Sequence, residues 1–149
     1  MVRALDPADD RHRLAAEIRT LARIVAEPAT VTAAGVESLR GDRGDDRFAF
    51  ADGASFAGSI DGGVEGVDTL DYSAYLAAHS VTADLAAGTA TGTTGVTGID
   101  DVIGGAGNDA LTGDALANRL TGGLGNDTLT GGLGDDTYVV DPSGADTIV

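Results

Sequence analysis

The sequence predicts an all-β fold in which short strands and tight turns repeat along the chain. From position 95 onward, five consecutive nine-residue units can be written in one register, each with a large apolar residue at its eighth place. Gly occurs 23 times, whereas the 149 residues include only three Phe, three Tyr and no Trp. Few large side chains are therefore available for a conventional globular core, and stacked repeats are the alternative.

The repeat unit has the form G-G-x-G-x-D-x-U-x, where U is a large apolar residue. Gly at places one, two and four permits the positive φ angles of a tight turn. Places seven to nine suit a short strand whose central residue points inward. These central residues are Val102, Leu111, Leu120, Leu129 and Tyr138, in the units 95–103, 104–112, 113–121, 122–130 and 131–139.

The negative charge of the chain indicates that it binds a cation. The chain has 24 acidic residues, 20 of them Asp, against nine Arg and no Lys, which gives a formal net charge of −15. This excess disfavours nucleic acid and anionic membranes as partners. Cys is absent, which excludes disulfides and thiolate metal sites. A chain so acidic repels itself, so we expect it to fold once a cation neutralises the carboxylates.

Place six carries the carboxylate of the repeat. A tight Gly-rich turn exposes carbonyl oxygens, and Asp at place six adds a charged oxygen beside them. Hard oxygen donors of this kind suit Ca²⁺ better than zinc or copper. Asn108, Asn126 and Asp135, at place five, are residues that fit turn conformations. The alternative is that these turns complete a β-solenoid without any metal.

The segments GGAGND, GGLGND and GGLGDD resemble the RTX (repeats-in-toxin) nonapeptide, also called the haemolysin-type calcium-binding repeat. This resemblance implies a right-handed parallel β-roll with two nonapeptides per turn and Ca²⁺ between loops eighteen residues apart. Asp109 should then stack over Asp127. The site that the resemblance implies first uses the carboxylates of Asp109 and Asp127 with the carbonyls of Gly105, Gly107, Gly122 and Leu124.

The opposite edge of such a roll should bind calcium less well. It stacks units 95–103, 113–121 and 131–139, in which Asn118 replaces the place-six Asp and Leu116 the fourth-place Gly. An amide offers a carbonyl but no charge, so weaker sites are expected around Asp100 and Asp136. A further pair is expected between Asp46, in unit 41–49, and Asp68, in unit 63–71.

Domain organisation follows from these patterns. Residues 1–34 are predicted to be an N-terminal helix and linker, beginning near Asp6-Pro7 and ending at Pro28, with Leu14, Ile18, Leu21 and Val25 at helical spacing. Residues 35–149 are predicted to be the roll, with irregular turns over 35–94 that include strands at 56–60 and 81–85. Regular repeats follow over 95–139, and residues 140–149 are expected to be a truncated end and strand, as in a fragment of a longer protein.

The resemblance also implies a cellular setting. RTX proteins leave bacteria through a type I secretion machinery, fold in external calcium, and are secreted or held at the cell surface; the absence of an N-terminal signal peptide in this chain agrees with that route. No apolar stretch is long enough to span a membrane. The parent could be a secreted hydrolase or epimerase, an adhesin or surface-layer protein, or a protein with a sugar-binding module.

No catalytic residue is predicted. His12 and His79 are far apart in the sequence, and the serines lack the context of a nucleophile. An enzyme would therefore need a catalytic domain outside this chain. A sugar-binding face needs exposed aromatic or basic residues, and its candidates, Tyr72, Tyr75, Arg40, Arg43 and Arg47, are too few to favour it.

Overall fold

The computed structural model describes residues 37–149, so the predicted N-terminal helix lies outside the described residues. Within this range the regular secondary structure consists of short β-strands, because Gly-rich turns interrupt each ladder after two or three residues. The strands are β1 (Ser38–Arg40), β2 (Arg47–Ala49), β3 (Ser59–Asp61), β4 (Thr69–Asp71), β5 (Thr82–Asp84), β6 (Thr89–Ala90), β7 (Gly95–Thr97), β8 (Asp101–Ile103), β9 (Ala110–Thr112), β10 (Arg119–Thr121), β11 (Thr128–Thr130), β12 (Thr137–Val139) and β13 (Thr147–Ile148). Nowhere in this range is there a helix long and apolar enough to cross a membrane.

The strands form three sheets. Sheet I has the order β12-β10-β8-β4-β2, sheet II the order β13-β11-β9-β5-β6, and sheet III the order β1-β3-β7. From β8 onward the chain alternates strictly between sheets I and II. Strand pairs are parallel except for β5 and β6, which pair antiparallel. The all-strand parallel architecture that the repeats predict is therefore confirmed.

Register in the regular part follows the predicted period. Val102 pairs with Leu120, which pairs with Tyr138, and Leu111 pairs with Leu129. Each step is eighteen residues, so two nonapeptides make one turn. The four aliphatic residues are fully or almost fully buried, whereas Tyr138 is half-buried. They form the thin core of the C-terminal part.

The middle of the chain departs from the short period. In sheet I, Phe48 pairs with Leu70, and Leu70 pairs with Val102. The second of these steps is longer because it includes the antiparallel β5–β6 pair and β7. The predicted strand at 81–85 contains β5, whereas the one at 56–60 overlaps β3 only at Ser59 and Ile60.

An aromatic cluster fills this wider part. Phe48, Phe50, Phe56, Tyr72 and Tyr75 are all buried. Phe50 stacks on Tyr72 with ring centroids 4.8 Å apart, and Tyr72 meets Tyr75 edge-on at 5.2 Å. Five of the six aromatic residues thus share one core.

Four of the five residues considered above for sugar binding make other contacts. Tyr72 and Tyr75 belong to this buried core. Arg40 forms an ion pair with Asp61, and Arg47 forms one with the buried Asp71 at 2.5 Å. The exposed aromatic face that a sugar-binding module needs is not built from these residues.

Candidate metal sites

Turns between the sheets stack into two columns, one along each edge of the roll. We name each column by the place-six residues of its turns. The first edge carries Asp46, Asp68, Asp100, Asn118 and Asp136, and the second edge carries Asp109, Asp127 and Asp146. The predicted stacking of repeat loops therefore extends from residue 41 to residue 146.

Place-six side chains form a ladder with the backbone. A carboxylate oxygen at place six accepts the N–H of the place-six residue one turn earlier. On the second edge, Asp109 N donates to Asp127 Oδ1 at 2.8 Å, and Asp127 N donates to Asp146 Oδ1 at 2.9 Å. On the first edge, Asp46 N donates to Asp68 Oδ1, Asp68 N to Asp100 Oδ2, and Asn118 N to Asp136 Oδ1, each at 2.9 Å. Asp109 is thus stacked with Asp127, and Asp46 with Asp68.

A second ladder, at place five, was missed by the sequence analysis. Asn126 N donates to Asn108 Oδ1 at 2.9 Å, and Ala145 N donates to Asn126 Oδ1 at 2.8 Å. Val67 N and Asp45 Oδ1 repeat the arrangement on the first edge at 2.8 Å. At place five the accepting side chain belongs to the earlier of the two turns, whereas at place six it belongs to the later one. The interval of eighteen residues between Asn108 and Asn126 was the signal that could have revealed it.

Loops 104–109 and 122–127 lie against each other. Asp109 accepts Gly105 N at Oδ2 and Val81 N at Oδ1, both at 2.7 Å. The carbonyl oxygens of Gly105 and Gly107 lie against the next loop, and Gly105 O accepts Leu124 N at 2.9 Å. The carbonyl of Gly122 lies against Gly104 of the preceding loop. Carbonyls of both loops therefore face the space between them.

Asp127 has a buried oxygen with no donor. The residue is 1% exposed, and while Oδ1 accepts Asp109 N, Oδ2 has no hydrogen-bond partner among the described residues. Burial raises the pKa of Asp127, and the negative charges of Asp109, Asp146 and Asp141 raise it further. A buried carboxylate oxygen without a partner is unfavourable. This oxygen lies beside Gly122 and fits a hard cation such as Ca²⁺.

Carboxylates alone do not form a cation site in this part of the chain. Between residues 37 and 149, no three Asp, Glu or His side chains converge in a way that could hold a metal ion. A cation in the loops must therefore take most of its ligands from backbone carbonyls. The loops 104–109 and 122–127 provide such carbonyls next to two carboxylates.

The first edge differs at Asn118. This side chain is buried, its Oδ1 accepts Asp114 N at 2.7 Å, and its Nδ2 donates to Asp100 O at 3.2 Å. Both ends of the amide are thus engaged. The turn before Asp100 is also shorter than the repeat predicts, because residues 95–97 form β7 and only residues 98–100 remain for the turn.

The turn that ends at Asp68 begins one residue earlier than its motif suggests. Gly62, rather than Gly63, occupies the place of Gly41, since Gly62 N donates to Thr97 O as Gly41 N donates to Asp61 O. Seven residues, Gly62 to Asp68, therefore lie opposite the six from Gly41 to Asp46, so this turn contains one extra residue. This insertion accounts for one of the four residues by which the separation of 22 between Asp46 and Asp68 exceeds the regular eighteen; the other three lie between Asp46 and Gly62.

Stacked glycine-aspartate turns on parallel sheets define a repeat protein whose edges present oxygen ligands. A family model described as "RTX calcium-binding nonapeptide repeat (4 copies)" matches residues 94–115 and 112–141. The matched residues are about a third of the chain, and the match agrees with the resemblance that the motifs carry. Repeats of this family bind calcium and are non-catalytic modules. No curated protein and no solved structure significantly matches the chain.

Proposed function

We propose that this chain is a calcium-dependent folding module of a bacterial protein that is exported by a type I system and folds outside the cell. In this proposal, Ca²⁺ lies between loops 104–109 and 122–127. Its ligands are the carboxylates of Asp109 and Asp127 and carbonyls of the four residues Gly105, Gly107, Gly122 and Leu124. The observation that carries the proposal is the buried Oδ2 of Asp127, which has no donor.

Electrostatics explains why folding should depend on calcium. Burial raises the pKa values of Asp68, Asp109 and Asp127, so their ionised forms oppose folding at neutral pH. Extracellular calcium modules bind with dissociation constants of about 10⁻⁴–10⁻³ M, so millimolar calcium contributes roughly 1 kcal/mol per site. Several sites in one cooperative roll add to a decisive contribution. Inside a cell, where free calcium is scarce, the same chain would remain unfolded and suitable for export.

The first edge is proposed to hold weaker sites. The pair Asp46 and Asp68 offers two stacked carboxylates, and Asp136 offers one beside Asn118. Asn118 contributes no charge, and the turn before Asp100 is short. We therefore expect these sites to fill after the site at Asp109 and Asp127.

A calcium titration of the purified chain tests the proposal. Circular dichroism is recorded first with a chelator, then with increasing calcium, and with magnesium as the control ion. We expect β-signal to appear cooperatively at about 10⁻⁴–10⁻³ M calcium and not with magnesium. Equal folding in chelator, together with no bound calcium by calorimetry, would exclude a calcium-dependent module.

Asp127→Asn separates the two effects of the buried carboxylate. The substitution removes a ligand charge, so the calcium midpoint should rise on the order of tenfold. It also removes an unfavourable buried charge, so the calcium-free chain should become more ordered. Asp135→Asn is the matched control, because it removes the same charge from an exposed place-five residue. Equal effects of the two variants would mean that net charge alone matters.

A further inference from the structure

The turn that precedes loop 104–109 on the second edge is not a calcium-type turn. Residues 72–81, here called the floor segment, connect β4 to β5. At the position where a repeat would have Asp, this segment has the fully buried Val81. Val81 N donates to Asp109 Oδ1 at 2.7 Å, and Tyr75 O accepts Ala106 N at 2.9 Å. The floor segment thus holds one side of the Asp109 loop without a metal ligand of its own.

Contact between the floor segment and the loop is close. A Cβ atom added to Gly107 would lie 2.7 Å from the carbonyl oxygen of His79. Real Cβ atoms do not approach that near, so only glycine fits there. A small displacement of the floor segment would therefore move both the Gly107 carbonyl and the Asp109 carboxylate.

Asp52 contacts the floor segment at two positions through its carboxylate. Asp52 lies in the turn after β2, and its Oδ1 accepts Leu76 N at 2.9 Å and lies 2.6 Å from His79 Nδ1. His79 N in turn donates to Leu76 O at 2.8 Å. The ring of His79 also packs edge-on against Tyr75, whose hydroxyl donates to Ala54 O at 2.6 Å.

The Asp52–His79 pair is too exposed to stabilise the whole fold strongly. The two side chains are 33% and 48% exposed, and such surface pairs contribute little to the free energy of unfolding. Its geometric effect is local, since His79 is two residues from Val81. The pair can therefore orient the loop while leaving global stability almost unchanged.

We propose that Asp52 and His79 are positioning residues for the calcium site at Asp109. They hold the floor segment in place, and the N–H of Val81 and the carbonyl of Tyr75 then orient the Asp109 loop. The inference rests on the proposed function, because it concerns the same site. Groups that orient metal ligands from the outer shell typically change metal affinity by about 10- to 100-fold when removed.

The experiment measures calcium release from the full, calcium-loaded chain by stopped-flow mixing with a fluorescent chelator. His79→Phe keeps the ring beside Tyr75 but loses the donor to Asp52. His79→Asn loses the ring but keeps an N–H near the position of Nδ1. Asp52→Ala removes the acceptor, and Asp84→Ala is the matched control, because Asp84 Oδ1 accepts Ala87 N in another exposed turn.

We expect Asp52→Ala and His79→Phe to accelerate one release phase about tenfold or more. His79→Asn should release calcium at nearly the wild-type rate, as should Asp84→Ala. Amide exchange at saturating calcium should become faster at Ala106 and Asp109 but not at Asn118 and Thr137 on the first edge.

Two results would overturn the inference. One is that Asp52→Ala and His79→Phe behave like Asp84→Ala. The other is that every release phase accelerates equally and His79→Asn does not restore the rate, which would indicate a general loss of stability. A wild-type chain that binds no calcium at all would instead reject the proposed function.

Discussion

Asp109 and Asp127 are buried carboxylates one turn apart, each with oxygens pointing toward backbone N–H groups. Asp109 has a donor for both oxygens, whereas Asp127 has one for Oδ1 only. Burial raises the pKa values of both, because removal from water disfavours the charged form. At the residue scale, the proposed dependence on a cation thus follows from a few carboxylates placed where water cannot solvate them.

Acid should partly replace calcium. For Asp68, Asp101, Asp109 and Asp127 the folded pKa lies above the unfolded value of about 3.9, so the folded state takes up protons first as pH falls. We expect the calcium-free chain to gain order as pH is lowered from 7 toward about 4, measured by circular dichroism in chelator. Asp71 and Asp141 have lowered pKa values, so their stabilising contribution is lost only under more acidic conditions. Loss of order between pH 7 and 4 would contradict this expectation.

The turn is the element on which stacking depends. Gly123 has a φ of 98°, and a Cβ atom there would lie 2.0 Å from Gly105 O of the preceding turn. Gly44 has a similar φ of 96°, but a Cβ atom there would meet nothing within 4 Å. A comparison of the two positions therefore separates the free-energy cost of backbone strain from the cost of steric contact between turns.

Replacing each glycine by alanine measures these two effects. Gly44→Ala should lower the free energy of unfolding by about 1–2 kcal/mol, the cost of a left-handed conformation. Gly123→Ala should lower it by several kcal/mol, because overpacking adds about 1–3 kcal/mol to the same strain. Urea unfolding in saturating calcium gives both values. Similar losses for the two variants would show that adjacent turns are not in tight contact.

Along residues 37–149, the core changes from mainly aromatic to mainly aliphatic side chains. The part that contains β2 and β4 is filled by the aromatic cluster, whereas the part from β9 onward has a thin core of single aliphatic residues. Each buried aromatic side chain removes a large apolar area from water, about 150–250 Å². We therefore expect the wide part to depend less on calcium than the thin part.

Hydrogen exchange in chelator should reveal this gradient. We expect slower exchange at the amides of Phe50 and Tyr72, which donate to Asp71 O and Ile103 O, than at Thr128 and Thr137, which donate to place-six carbonyls. Saturating calcium should reduce the difference. Uniform exchange in chelator, or greater protection of the C-terminal strands, would reject a gradient in stability.

The regular repeats were predictable, because nine residues hold one turn and one strand, and inward residues recur at a fixed place. The irregular turns were not. Asp68 stacks with Asp100 although 32 residues separate them, because the β5–β6 pair occupies the interval. Burial of Tyr72 and Tyr75, and the use of Val81 in place of an aspartate, depend on contacts between distant segments. Local pattern carries no information about those contacts.

Alternation between two edges limits how such a chain can change its length during evolution. Within the regular part, loss or duplication of one nonapeptide would transfer every later turn to the other edge and place Asn118-type and Asp127-type turns in the wrong columns. Loss or duplication of eighteen residues would preserve both columns. The 32-residue step between Leu70 and Val102 shows that the roll accepts an insertion when the chain returns to the sheet that it left. We therefore expect that insertions and deletions that preserve the fold of the regular part involve an even number of nonapeptides.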